Sequence, residues 1–325
     1  MHLHIFLNGE NPTPEQVKKS VVASARLRIS PLIEVAHETN LGITIGTSAP
    51  PNTTAAVVGK IGSLDINKRK NHWINQIKLL SAEGCSVTLD YTDHHLAIAS
   101  PQRGFYSEAL ENCSNIVTPT TALTEEVKKI VTGAKYHTIY DLLEYPRCEP
   151  KKDLCSKEIR AMWFGHPTNA KFLARFIDDY SAVMENQHLT VISTRETAQI
   201  LEKYPYKHPP LLRLRFVPWS PKAVLESARQ ADYCIIPSDN KSPKRFASNN
   251  RLVAALALGL PTIATTIPSY HEFSDFYAEE LTSSALDVMT NPVSLRDKVG
   301  LFQEQHLDKF TLASIANKWR SLLLH

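Results

Sequence analysis

The residues best suited to chemistry fall in two places. The first is the run Lys244-Arg245-Phe246-Ala247-Ser248-Asn249-Asn250-Arg251, set directly ahead of an apolar Ala/Leu stretch and the turn Gly259-Leu260-Pro261. The apolar stretch predicts a short buried helix, with Gly259 as its left-handed exit, Pro261 as a stop and a strand over residues 262–266. Ser248 or Asn249 is placed to accept a bond from the first unpaired N–H groups. A helix start left open attracts anions, Lys244, Arg245 and Arg251 add full positive charges, and Arg251 can grip a phosphate through two bonds. The chemistry would be diphosphate binding. Taken alone, the window fits a capped surface helix with solvated cations equally well.

The second place is Asp90-Tyr91-Thr92-Asp93-His94-His95, which ends an apolar strand-like run over residues 85–89. Two carboxylates and two imidazoles at a strand end suit proton transfer or the orientation of a substrate hydroxyl, with Asp93 and His94 as the preferred pair. A capped loop with solvated histidines is the bland alternative. No second ligand cluster accompanies them, so no metal is expected.

These residues need a scaffold, and the pattern supplies one. Strand-like runs at residues 3–7, 42–46, 55–58, 85–89, 115–119 and 136–140 alternate with helical tracts at 14–37, 67–83, 105–113 and 120–131. The first strand is followed by the turn Asn8-Gly9; in the bland alternative for the second place, Asp93 starts the helix that follows its strand. A second series, with strands at 159–164, 189–193, 214–217, 233–237 and 262–266, follows a Pro-containing, charged stretch. Alternation of this kind predicts parallel sheets covered on both faces, with ligands beyond the carboxyl ends of the strands. Gly165 closes one such strand ahead of a helix, a geometry that brings backbone N–H groups near phosphate. An ordinary strand-to-helix turn also needs that glycine.

Composition sets the bounds. At 325 residues, 43% hydrophobic and 21% charged, the chain suits two ordinary globular domains. A net charge of +3 is too small an excess to argue for nucleic acid. Five cysteines at irregular spacing, with no Cys-x2-Cys pair, read as reduced thiols. The N-terminus enters a strand directly, and nothing resembles a signal peptide or a bilayer span, so a cytoplasmic protein is expected. Lys68-Arg69-Lys70 ahead of Trp73 gives a minor second reading, peripheral contact with acidic lipid at the inner membrane face through a basic helix with one exposed aromatic; solvated cations are the commoner outcome.

The passage Phe216-Val-Pro-Trp-Ser…Ala231-Asp-Tyr-Cys-Ile-Ile-Pro-Ser…Asn250-Arg…Ala257-Leu-Gly-Leu-Pro-Thr-Ile-Ala resembles the C-terminal donor domain of GT-B glycosyltransferases, nearest to the retaining family 4 type. The resemblance is clear over residues 216–270, weaker over 159–171 and architectural before 115. It implies an α/β protein of two Rossmann-like domains with an interdomain cleft. Residues 1–142 would form the acceptor domain, 143–158 a linker, 159–308 the nucleotide-sugar domain, and 309–325 a helix packing back towards the first domain. The activity implied is metal-independent, cofactor-free transfer of a sugar from a nucleotide-sugar to a glycan or lipid-linked acceptor, in cell-surface polysaccharide biosynthesis. The donor diphosphate would lie on Gly165, His166, Lys171, Lys244, Ser248, Asn249, Asn250 and Arg251, with Pro218 and Trp219 near the nucleobase and Tyr270 near the donor sugar. Asp93 or His94 would handle the acceptor hydroxyl. One departure stands out: the Glu-x7-Glu pair of family 4 falls on Phe246 and Ala254. Its absence keeps open a nucleotide-sugar epimerase of the same fold and a noncatalytic GT-B-like binding subunit.

Overall fold

The computed structural model describes every residue except 9–10, 63–65, 98, 155–157, 208 and 325. Of the expectations above, those on Gly9 and Cys155 lie outside the described residues. The chain divides into two units, one of Met1–Leu142, Phe246–Ser248 and Lys309–His325, the other of Leu143–Arg245 and Asn249–Asp308.

In chain order the first unit runs β1 (His2–Phe6), α1 (Pro14–Lys18), α2 (Ala23–Glu38), β2 (Gly42–Gly46), β3 (Ala55–Val58), α3 (Ile66–Ala82), β4 (Ser86–Asp90), α4 (Pro101–Asn112), β5 (Asn115–Thr118), α5 (Thr121–Lys128) and β6 (Lys135–Thr138). The second runs β7 (Arg160–Phe164), α6 (Ala170–Asp179), β8 (His188–Ser193), α7 (Arg195–Glu202), β9 (Arg213–Pro218), α8 (Pro221–Gln230), β10 (Tyr233–Ile236), α9 (Asn250–Ala257), β11 (Thr262–Ala264), β12 (Ala278–Glu279), α10 (Ser283–Thr290) and α11 (Arg296–His306). The last helix, α12 (Leu312–Leu324), returns to the first unit.

All strand pairs are parallel, and the sheet orders are β2-β1-β3-β4-β5-β6 and β12-β11-β10-β7-β8-β9. Helices on both faces explain why central strands such as β3 (Ala-Ala-Val-Val) are apolar throughout. In the first unit, Trp73 and Ile77 of α3 pack with Phe105 and Tyr106 of α4 and with Phe246 on one face. On the other face, α2 packs with Ile315, Ala316, Trp319 and Leu323 of α12. Chain order reverses between β1 and β3 in the first sheet and between β7 and β10 in the second. These are the switch points where α/β sheets open a crevice for ligands.

One expected helix boundary differs, and so does one weighed as an alternative. The single tract over residues 14–37 is two helices, broken where Ser20 accepts a bond from the N–H of Val22 at 3.1 Å and the β-branched Val21 and Val22 face solvent. Asp93 does not start a helix: a short 3-10 turn at His95–Ala97 follows, and Pro101 begins α4. Among the described residues, no helix is long and apolar enough to cross a membrane.

The first sheet also carries a pH-sensitive group. His4 is buried in β1, its Nδ1 lies 2.9 Å from Thr44 Oγ1, and its Nε2 has no partner. Burial, reinforced by His2 and opposed by a bond at Gly46, pushes its pKa from 6.5 down to about 4. A depressed pKa means that the folded state binds fewer protons than the unfolded chain. Its stabilisation is therefore present above pH 6.5 and lost as pH falls towards 4, about 2 kcal/mol of it by pH 5. Urea midpoints at pH 8 and pH 5 should differ less for His4→Asn than for wild type; equal differences would remove His4 as the cause.

Candidate functional site

At the switch point of the second sheet, β7 ends in Gly165. Ser193, at the end of β8, donates its hydroxyl to the Gly165 carbonyl at 2.6 Å, and its own carbonyl accepts the Trp219 N–H at 3.1 Å. One residue thus ties the turns after three neighbouring strands, through its side chain on one side and its backbone carbonyl on the other. A Cβ on Gly165 would stand 3.2 Å from Arg251 Nη1 and 3.0 Å from the Trp163 ring, so the missing side chain is what lets the guanidinium lie against the turn. The next residue, His166, is exposed. The Thr168 N–H donates to its Nδ1 at 3.3 Å, which places the ring proton of the neutral form on Nε2 as a donor. Lys171 is exposed, its ammonium 4.9 Å from the Phe172 ring centroid. It also faces the loop after β10: burial pushes the Asp239 carboxyl up, but bonds from Ser242 and Lys241 and the charge of Lys171 outweigh it and hold that group below its ordinary value.

The α9 side of the site differs from expectation. Neither Ser248 nor Asn249 caps the helix through its side chain. Ser248 instead donates its hydroxyl to Asp141 Oδ2 at 2.5 Å, and Asn249 donates Nδ2 to Glu272 Oε1 at 3.0 Å. Carboxylates outcompete the backbone for both donors. In the first turn of α9, Arg251 hydrogen-bonds the hydroxyl of Tyr270, which burial pushes up in pKa while Arg251 opposes the shift. Arg251 Nη1 and Asn249 Oδ1 are buried atoms without a partner. Tyr270 is itself buried, so it holds Arg251 in place. Cys234 nearby is an inert thiol, pushed up to about 12 by burial against the opposing charge of Arg251. Lys244 is exposed, and the carbonyl of Arg245 beside it accepts the Ser269 hydroxyl at 3.1 Å. Pro218 is exposed and Trp219 half-buried at the end of β9, the sheet edge. Ala254 is buried within α9.

The far end of α9 is held just as firmly. The carbonyls of Leu256 and Ala257 accept from Gln303 Nε2 at 2.8 and 3.2 Å, and Ala257 O also accepts the Cys148 N–H at 2.8 Å. Gly259 then leaves the helix at φ +76°, packed under the carbonyls of Cys148 and Glu149.

In the first unit, the cluster after β4 separates into different roles. Asp90 is bound by buried Arg28, whose Nε lies 3.0 Å from its Oδ2. Asp93 is half-exposed and paired with Lys60, at the end of β3. His94 is only 3% exposed, with Tyr91 Oη 3.4 Å from its Nδ1, Glu126 Oε1 4.0 Å from its Nε2 and Phe246 edge-on to its ring. His95 stacks on Tyr106 at 4.5 Å, and burial pushes its pKa down to about 4. Of the pair, Asp93 is therefore the half-exposed member and His94 the buried one. Among the described residues, no three His, Cys, Asp or Glu side chains are grouped as a metal site. Of the basic triplet, Arg69 donates to Asn8 Oδ1 at 3.0 Å and Lys70 lies 3.8 Å from Glu108. Trp73 is wholly buried, which corrects the expectation of an exposed aromatic for a lipid surface. Sequence reasoning missed Lys60 and Ser193; Glu272 belongs to the run Ser269-Tyr270-His271-Glu272 after the last strand, which the sequence placed within reach of the donor sugar.

Two parallel six-stranded sheets with these connections form the GT-B glycosyltransferase fold. Among solved structures of that fold, Anabaena HepE in complex with UDP-glucose aligns with a TM-score of 0.66 at 9% identity, over 100% of this chain and 99% of that one. The trehalose-6-phosphate synthase OtsA aligns at 0.58 and 10% identity, over 100% and 98%. S. aureus TarM, solved with UDP and alpha-GlcNAc-glycerol among its ligands, aligns at 0.60 and 11% identity; 83% of this chain spans 55% of the length of that protein. At such identities the likeness is one of fold. No protein-family profile matches the sequence, and no curated protein matches it.

Proposed function

We propose that the chain is a glycosyltransferase that moves a sugar from a nucleotide-sugar to a glycan or lipid-linked acceptor, without a metal, in cell-surface polysaccharide assembly. The observation that carries the reading is the unpartnered Nη1 of Arg251, held by Tyr270 against the Gly165 turn at the switch point of a parallel sheet. A buried guanidinium N–H without an acceptor is a costly arrangement that a phosphate oxygen would complete. Fold neighbours solved with UDP or UDP-glucose add support by analogy.

In this reading Arg251 and the N–H groups at Asn249 and Asn250 take the donor diphosphate and stabilise the charge that develops as it leaves. His166, Lys171 and Lys244 add donors and positive charge at its edge. Ser248 supports the site through its carboxylate bond, Pro218 and Trp219 border the nucleobase, and Tyr270 positions Arg251. Asp93, paired with Lys60, receives the acceptor hydroxyl, or His94 does. Absence of the family 4 glutamates leaves the stereochemical outcome to be measured on the product.

Calorimetric titration of UDP, GDP, CMP and ADP against wild type and Arg251→Ala tests this. One nucleotide should bind, and the substitution should weaken it on the order of 100-fold through the loss of charge-assisted bonds. No binding to folded wild type, or equal binding to the variant, would overturn the diphosphate site. With the matching nucleotide-sugar, slow release of nucleoside diphosphate supports transfer. An isomerised sugar would point to epimerisation, and binding without turnover to a noncatalytic subunit.

A further inference from the structure

Asn249 ends in two different polar atoms, and the structure commits one of them. Its Nδ2 donates to Glu272 Oε1 at 3.0 Å, and a carboxylate only accepts, so the orientation of the amide is settled by chemistry. The remaining atom, Oδ1, is an acceptor on a residue with 0% exposure and has no partner. Two residues on, Arg251 Nη1 is a donor in the same state. The two orphans ask for different things. Nη1 needs an acceptor, for which an anion is the strongest partner, whereas Oδ1 would repel a phosphate oxygen and needs a donor such as a hydroxyl or an N–H. The start of α9 thus carries, two residues apart, a demand for an acceptor and a demand for a donor.

We propose that Asn249 Oδ1 accepts a hydrogen bond from a hydroxyl of the donor sugar, and that Glu272 is a positioning residue that turns this oxygen, and not the NH2 group, towards it. The inference rests on the diphosphate reading of Arg251 and deepens it, because it separates the sugar from the phosphate among residues of one short helix. It also reassigns the side chain of Asn249 from the phosphate to the sugar while leaving its backbone with the phosphate. Glu272 lies outside the Glu-x7-Glu pattern, on the 3-10 segment Pro268–Phe276 after β11. A carboxylate thereby serves the sugar at one remove.

The test compares a nucleotide with its sugar-bearing form: UDP against UDP-glucose, or the guanosine pair with mannose if the screen selects GDP. In wild type, the sugar-bearing form should bind more tightly. Glu272→Ala, a change at an exposed residue, frees the amide to turn; it should remove about tenfold of that gain and leave the binding of the bare nucleotide unchanged. Asn249→Asp sets two carboxylates against each other and should lose the gain altogether. The double variant Asn249→Asp with Glu272→Gln reverses the direction of the bond, keeps an acceptor towards the sugar, and should recover it. Equal weakening of nucleotide and nucleotide-sugar would place the hydroxyl on the ribose and overturn the assignment, as would a double variant no better than Asn249→Asp. If wild type binds no nucleotide, the diphosphate reading fails and takes this one with it; if the nucleotide binds and depends on Arg251 but the sugar gain ignores Glu272, this inference alone fails.

Discussion

Arg28→Met should destabilise the first unit by about 3–5 kcal/mol, the usual result of removing one partner from a buried ionic group. Arg28 is 2% exposed and ties three elements together. Nε and Nη2 bind Asp90 at the end of β4, and Nη1 reaches the Ile139 carbonyl at 2.5 Å and Asp141 Oδ1 at 3.4 Å. The guanidinium also lies 5.9 Å from the ring centroid of Trp319. Without it, Asp90 and Asp141 are two buried carboxylates facing each other. In wild type, burial already raises the pKa of Asp141, with Arg28 and the Ser248 hydroxyl opposing it. A raised folded pKa means that the native state holds the proton more tightly. That contribution to stability is full below the unfolded carboxylate pKa and is lost as pH rises through the folded value. The variant should therefore lose more stability at pH 7 than at pH 4. The triple change Arg28→Met, Asp90→Asn and Asp141→Asn should recover much of the loss, because neutral groups replace the orphaned charges. Urea unfolding at both pH values measures this, and a single variant within about 1 kcal/mol of wild type at pH 7 would show that water reaches the network.

The second large effect belongs to Gly259→Ala, at about 3 kcal/mol or more in the second unit, where a left-handed residue alone accounts for about 1–2 kcal/mol. The remainder is steric. A Cβ there would stand 2.6 Å from the carbonyl oxygen of Cys148 and 2.8 Å from that of Glu149. That backbone cannot retreat easily, because the Cys148 N–H is bonded to Ala257 and its carbonyl accepts from Gln303 at 2.9 Å. Two control glycines separate the causes. Gly84, at φ +80° with nothing within 4 Å of the added atom, should show only the conformational part. Gly300, inside α11 with open space around it, should gain up to about 1 kcal/mol as alanine. Thermal unfolding of the three variants orders them. A Gly259→Ala shift no larger than that of Gly84→Ala would mean the linker strand gives way.

The alternation of strands and helices was legible because it rests on local signals: apolar runs, a Gly-Leu-Pro stop and turn residues between. The turn at Gly165 and the cation Arg251 were readable for the same reason, since each sits at a strand or helix end that the pattern locates. What stayed hidden depends on pairing across sequence. Ser248 lies next to a predicted helix start and looks like a cap, yet a carboxylate 107 positions earlier accepts its hydrogen bond. Arg28 reads as one more polar residue of a helix until Asp90, 62 positions on, folds over it. The Asp90 to His95 run offered two carboxylates and two imidazoles with Asp93 and His94 preferred, and only packing shows that Asp90 and His94 are interior while Asp93 is half-exposed and paired with Lys60. No periodicity carries such information, because burial of a charge is decided by the element that lands on it.

The helix that completes the core of the first unit lies beyond the whole of the second unit in sequence, and this has a consequence for how the protein is made. Residues 1–142 leave the ribosome first, but Ile315, Ala316, Trp319 and Leu323 follow only after the whole of the second unit has been translated. At ordinary elongation rates that delay is roughly 10–40 s. Throughout it the nascent first sheet carries an uncovered apolar face beside α2. The half that is synthesised first is therefore the half that finishes folding last, and the interval before α12 arrives is when the chain most needs a chaperone.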